Sequence, residues 1–71
     1  MKLPNKETFN YALHRAIKES GLTQKAVAES TGIDQGTMSK IISKRINPTP
    51  DEMKAIASTL HIPVPQLWPD A

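Results

Sequence analysis

The stretch LTQKAVAESTGIDQGTMSKIIS, residues 22–43, decides the fold. Two apolar residues before Gly32 and three after it have the spacing that buries one face of a helix: Val27, Ala28, Met38, Ile41 and Ile42. Thr23 and Asp34 stand where N-cap residues belong, and Gly32 can take the left-handed conformation that ends a helix. The stretch therefore predicts two short helices joined by a tight turn, which is a helix-turn-helix.

A further helix is predicted before this motif. Its apolar residues fall at i, i+3, i+4, i+7 and i+8: Phe9, Ala12, Leu13, Ala16 and Ile17. We expect Asn5 to cap the start of this helix and Gly21 to end it.

The sequence signals a fourth helix through Thr49, Pro50 and Glu52, which form a capping box with proline in the first turn. Its apolar stripe has four members: Met53, Ile56, Ala57 and Leu60. His61 occupies the position after the helix that glycine usually takes, where a side chain adds strain. The prolines that follow limit a fifth helix to about one turn around Val64–Trp68.

Length and composition fit one all-α domain over residues 1–71. With no cysteine and no ligand spacing around the two histidines, we expect neither a disulfide nor a metal site. No nucleophile motif or phosphate-binding glycine loop is present, so an enzyme with a cofactor or a small-molecule substrate is disfavoured. No apolar run approaches the roughly 20 residues of a membrane span, and no signal peptide is visible. We expect a cytoplasmic protein.

The predicted third helix, from Gln35 to about Ser43, carries the candidate binding surface. Residues 35–47 contain three cations and no acid, although the net charge of the chain is only +2. Amide, hydroxyl and ammonium groups on the outer face of such a helix can hydrogen-bond base edges in the major groove of DNA. An ordinary solvated face is the alternative.

The motif and its surroundings resemble the Cro/lambda-repressor family of helix-turn-helix regulators. The resemblance covers residues 22–68 and is carried by Leu22-Thr23-Gln24, Val27-Ala28, Gly32-Ile33, Thr37-Met38-Ser39-Lys40-Ile41, Asn47-Pro48-Thr49 and Ile56-Ala57 with Leu60. It implies a compact five-helix, lambda-repressor-like domain of bacterial or phage type. It also implies a homodimer that binds a palindromic operator in double-stranded DNA and represses transcription.

Residue roles follow from the resemblance position by position. The residues expected to read bases are Gln35, Gly36, Thr37, Ser39 and Lys40. Those expected to contact phosphates are Thr23, Gln24, Lys44, Arg45 and Asn47. A possible dimer interface comprises Val64, Leu67 and Trp68, although Trp68 has a second interpretation as a lid over the core.

The chain departs from the family pattern at four positions: Gly36, Ser43, His61 and Pro63. Gly36 replaces a residue that often reads bases, and it either allows the backbone to approach the groove or is merely tolerated near a helix start. Ser43 stands where the family ends its third helix near glycine, which leaves the exit of that helix open. Pro63 replaces the usual Ser or Thr cap, so we expect no side-chain cap on the fifth helix.

An alternative function is a module with the same fold whose main task is to hold a protein partner. Antitoxins of this type neutralise a toxin and repress their own operon. The sequence feature that would favour it is an extra partner-binding tail, and none is visible beyond Trp68.

Overall fold

The computed structural model describes residues 9–69. Five α-helices account for this range: α1 (Tyr11–Glu19), α2 (Gln24–Thr31), α3 (Gln35–Ile42), α4 (Pro50–Leu60) and α5 (Val64–Leu67). The described part of the chain contains no strand. The predicted all-α, five-helix fold is therefore confirmed. No helix in this range is both long and apolar enough to cross a lipid bilayer.

The start of α1 differs from the prediction. The helix begins at Tyr11 because Asn10 caps it, with Oδ1 accepting the amide of Leu13 at 3.0 Å. Phe9 therefore precedes the helix instead of belonging to its first turn. Its ring lies edge-on to His14 with centroids 5.3 Å apart, the N′ to N4 contact that fixes the direction of the incoming chain. Asn5, the expected cap, lies outside the described residues.

The predicted caps of α2, α3 and α4 are confirmed. Thr23 Oγ1 accepts the amide of Ala26 at 3.0 Å, and the Asp34 carboxylate caps α3. Thr49 and Glu52 form both bonds of the capping box, at 3.1 and 2.8 Å. As expected from Pro63, α5 has no side-chain cap.

Four helices are followed, within two residues, by a residue in the left-handed region. These residues are Gly21, Gly32, Lys44 and His61, with φ of 80°, 75°, 59° and 58°. At the end of α3, the backbone N–H of Lys44 donates to the carbonyl of Ile41 at 3.2 Å, and the backbone N–H of Arg45 donates to the carbonyl of Lys40 at 2.9 Å. These two bonds define a Schellman motif. The exit of α3 is thus made by a lysine in the conformation that favours glycine.

The core lies where the helices meet: α2 packs against α3 and α4, and α1 packs against α3 and α5. Its largest fully buried side chains are Leu13, Val27, Met38, Ile41, Ile56 and Leu67. Trp68 is 9% exposed and belongs to the same cluster. Leu67 and Trp68 are therefore packed within a single chain, as the lid interpretation of Trp68 requires. A dimer contact through this region stays a prediction.

Candidate nucleic-acid interface

The two faces of α3 have different environments. Met38, Ile41 and Ile42 are buried against the other helices, at 0–4% exposure. Four of the five predicted base-reading residues are exposed: Gln35, Gly36, Ser39 and Lys40. The fifth, Thr37, is only half-buried and also lines a groove between α3 and the start of α4. The outer face of α3 is thus a surface of amide, hydroxyl and ammonium groups.

The N-terminus of α3 is occupied by a side chain of the protein itself. Asp34 Oδ2 accepts the amides of Gly36 at 2.9 Å and Thr37 at 3.3 Å. Helix N-termini bind phosphates through such amides, and here a carboxylate already uses two of them. At this end of α3 the exposed side chain of Gln35 is therefore the main group left for a ligand, while Ser39 and Lys40 lie further along the helix.

Gly36 leaves room for this cap. A Cβ atom on residue 36 would lie 3.0 Å from Asp34 Oδ2, which is a tight contact. Otherwise the position is exposed. The structure thus supplies a local reason for the glycine besides the two that the sequence suggested.

The predicted phosphate-binding residues fall into two groups. Thr23 and Gln24 stand at the start of α2, where Thr23 is exposed and Gln24 half-buried. The Thr23 hydroxyl oxygen is used as the cap, while its O–H can still donate. The first turn of α2 contains no acid, which suits an anion at this helix end.

The second group follows α3 in the loop 44–47. Lys44, Arg45 and Asn47 are all exposed. The Schellman bonds fix the backbone of the first two relative to α3. The loop therefore presents two cations and an amide from a defined position next to the exposed face of α3.

Acidic residues border this surface on one side. The groove that Thr37 lines has a volume of about 320 Å³ and lies between the α2–α3 turn, α3 and the start of α4. Three acidic residues are part of its lining: Asp34, Asp51 and Glu52. Phosphates would be repelled there. The positive part of the surface lies at the other end of α3, where the loop 44–47 begins.

Asn10 is a residue that the sequence analysis missed. It is 5% exposed and is the one buried polar residue among those that the structure describes. Its backbone N–H donates to the carbonyl of Ile42 at 2.7 Å, and its side-chain Nδ2 donates to the carbonyl of Leu67 at 2.9 Å. The available signal was an asparagine just before the apolar stripe of α1, but Phe9 made the stripe look longer and drew the expected cap to Asn5.

Within residues 9–69, no group of three or more His, Cys, Asp or Glu side chains is placed to hold a metal ion. His14 and His61 are both exposed and lie on different elements. His14 contacts the ring of Phe9, and His61 ends α4. Both residues thus have structural positions.

The chain matches a known protein family. A family model described as helix-turn-helix matches residues 13–67, well over half of the chain. The matched region contains α2 to α5 and most of α1. No curated protein matches the chain at a significant level.

Proposed function

The chain belongs to the Cro/C1-type helix-turn-helix family of DNA-binding transcriptional regulators, and from this premise we propose that it is a repressor that binds a palindromic operator as a homodimer. DNA binding is the activity of the family. The repressor role, the symmetric operator and the residues that read it are our proposals.

The observation that carries the proposal is the composition of the exposed face of α3. This face contains no acidic residue from Gln35 to the end of the helix. The apolar residues of α3 lie on its other face, in the core. An amide such as that of Gln35 can bond adenine at two atoms, and an ammonium such as that of Lys40 can reach guanine O6 and N7. A helix with these groups fits the major groove.

The phosphate contacts would come from both sides of the groove. Thr23 and Gln24 stand at the start of α2, and Lys44, Arg45 and Asn47 follow the end of α3. Such contacts fix the register of the protein on the duplex without reading sequence. In this arrangement α3 lies in the groove and α2 lies across the backbone, which is the usual docking of a helix-turn-helix.

A homodimer is proposed because one unit of this size makes a small interface. Single DNA-binding modules bury about 600–1,000 Å² of protein surface, and specific complexes bury about 1,000–2,500 Å². Two copies reading half-sites about 10 base pairs apart would double the contacts. Occlusion of polymerase by the bound dimer is the simplest route to repression by a domain with little surface beyond its DNA face.

The test is selection from random duplex DNA at near-physiological salt, followed by sequencing of the retained molecules. We expect a motif with two-fold symmetry. The test variant is Lys40→Ala on α3, and its matched control is Lys54→Ala on α4. The two variants remove the same charge inside and outside the proposed surface. Only Lys40→Ala should alter the motif. A folded wild-type chain that enriches no sequence would contradict the proposal and favour the partner-binding alternative.

A further inference from the structure

Asp34 places a negative charge at the N-terminal end of α3. Its Oδ2 accepts the amides of Gly36 at 2.9 Å and Thr37 at 3.3 Å, and the next residue along the chain is Gln35, the exposed candidate base reader. We propose that Asp34 is a specificity-determining residue that weakens binding to unrelated DNA by keeping phosphates away from this end of α3. The inference rests on the proposed function, in which α3 enters the major groove.

The two helices of the motif begin with different charges. The cap of α2 is the hydroxyl of Thr23, and the first turn of that helix contains no acid. The cap of α3 is the carboxylate of Asp34, while the cation of this helix, Lys40, lies in its last turn. Helix N-termini bind phosphates through unpaired amides and the positive end of the helix dipole. The start of α2 can therefore take a phosphate, whereas the carboxylate closes the start of α3 to one.

The cap of α3 does not itself require a charge. Asparagine and serine cap helices about as well as aspartate, because each offers an oxygen to the same amides. Asp34 is exposed and forms no ion pair with any of residues 9–69. Asp51 and Glu52 line the same groove and add to its negative potential. The charge at residue 34 is therefore not balanced locally, and it should repel anions that approach the start of α3.

This repulsion should act differently on two kinds of complex. Binding to unrelated DNA depends on phosphates alone, and some of its orientations bring the start of α3 against the backbone. In the proposed operator complex, α3 lies in the groove, and the phosphates are contacted from the start of α2 and from the loop 44–47. Asp34 should therefore lower the affinity for unrelated DNA more than the affinity for the operator, which raises the ratio of the two affinities.

The experiment measures the affinity for the selected operator and for an unrelated duplex of the same length at several salt concentrations. The test variants are Asp34→Asn and Asp34→Ser, which keep a capping oxygen and remove the charge. The control is Asp51→Asn, which removes the same charge from an exposed residue of the same groove, on α4. The thermal unfolding midpoint of each variant establishes that it is folded under the binding conditions.

We expect both Asp34 variants to bind the unrelated duplex about fivefold more tightly than the wild type, the factor for removing one repulsion between unit charges about 4 Å apart in water. Their affinity for the operator should change much less, so the ratio of the two affinities should fall. The difference from the wild type should shrink at high salt, because salt screens exposed charges. Asp51→Asn should keep the wild-type ratio.

The possible results separate the inference from the function on which it rests. A ratio in both Asp34 variants equal to that of Asp51→Asn would overturn the inference and leave the proposed function intact. A ratio that falls through weaker binding to the operator would also overturn it, since Asp34 would then contact bases favourably. Absence of any preferred sequence for the wild type would instead overturn the proposed function, and the inference with it.

Discussion

The carboxylate of Asp34 and the backbone of Gly36 are in direct contact: Oδ2 accepts the Gly36 amide at 2.9 Å, and a Cβ atom on residue 36 would lie 3.0 Å from the same oxygen. The cap of α3 and the glycine behind it therefore belong to one arrangement. Glycine lowers helix stability by about 1 kcal/mol relative to alanine, and a cap of this type contributes about 1 kcal/mol. The two effects are of similar size, so the preference for glycine depends on whether Asp34 is present.

We expect Gly36→Ala to stabilise the protein more in an Asp34→Ala background than in the wild type. Without the carboxylate, alanine should add about 0.5–1 kcal/mol to the free energy of unfolding. With it, the side chain of Asp34 must move by a few tenths of an ångström and weaken its bonds, which should cancel most of that gain. Denaturant unfolding of the two single variants and the double variant gives the coupling energy directly.

The same variants test whether the backbone at residue 36 approaches DNA. Gly36→Ala should weaken operator binding in both backgrounds if the backbone contacts the floor of the groove. Unchanged operator affinity in both would rule out the close approach and leave the Asp34 cap as the reason for glycine. Equal stability gains in the two backgrounds would instead contradict the cap explanation.

Lys44 and His61 form a second matched pair, because both end a helix in the left-handed region with nearly the same φ, 59° and 58°. A residue with a side chain in this region costs about 1–2 kcal/mol. Replacing it with glycine removes this cost, but the greater conformational freedom of glycine in the unfolded chain offsets part of the gain. We therefore expect Lys44→Gly and His61→Gly each to raise the free energy of unfolding by about 0.5–1 kcal/mol.

Their effects on DNA binding should differ. Lys44 precedes Arg45 in the proposed phosphate-binding loop, whereas His61 lies between α4 and α5. Lys44→Gly should weaken binding to all sequences and lower the slope of log affinity against log salt by about 1. His61→Gly should leave both unchanged. If both variants bind alike, Lys44 makes no phosphate contact.

The sequence was a good guide wherever a local signal decided the structure. Thr23, Asp34 and Thr49 cap their helices as predicted, since a cap depends on only a few neighbouring residues. The buried stripes followed from helical spacing. The start of α1 was misplaced because its true cap, Asn10, is selected partly by Leu67, which is 57 positions away and cannot be recognised by local pattern.

The candidate surface shows the same division. Exposure of the outer face of α3 was predictable because three apolar residues claim its other face. The left-handed conformation of Lys44 could not be predicted, because no glycine or asparagine stands at that position to mark the turn. The conformation is imposed by the two Schellman bonds and by the chain having to leave α3 toward α4.

Trp68 permits a test of its two interpretations by protein concentration. At 9% exposure it packs mainly within its own chain, so Trp68→Phe should lower the free energy of unfolding by about 1–2 kcal/mol through lost burial. A loss within one chain does not depend on protein concentration, whereas the loss of a dimer contact does. We expect the same loss in thermal unfolding over a hundredfold range of concentration. Gln66→Ala, on the exposed side of α5, is the control and should change stability by less than about 0.5 kcal/mol.

Gln35 and Arg45 should separate sequence reading from general attraction to DNA. Both are exposed, but Gln35 stands at the first position of α3 and Arg45 in the loop beyond its end. Gln35→Ala should lower discrimination at one base pair of each half-site by about 1–3 kcal/mol and leave binding to unrelated DNA unchanged. Arg45→Ala should lower affinity for every sequence by a similar factor and reduce the salt slope by about 1, because one fewer phosphate is neutralised. Titration of the operator, its single-base variants and unrelated duplex at several salt concentrations distinguishes these results. Equal losses on all sequences for Gln35→Ala would remove it from the base-reading set, and a loss confined to one base pair for Arg45→Ala would place that side chain in the groove instead of on the backbone.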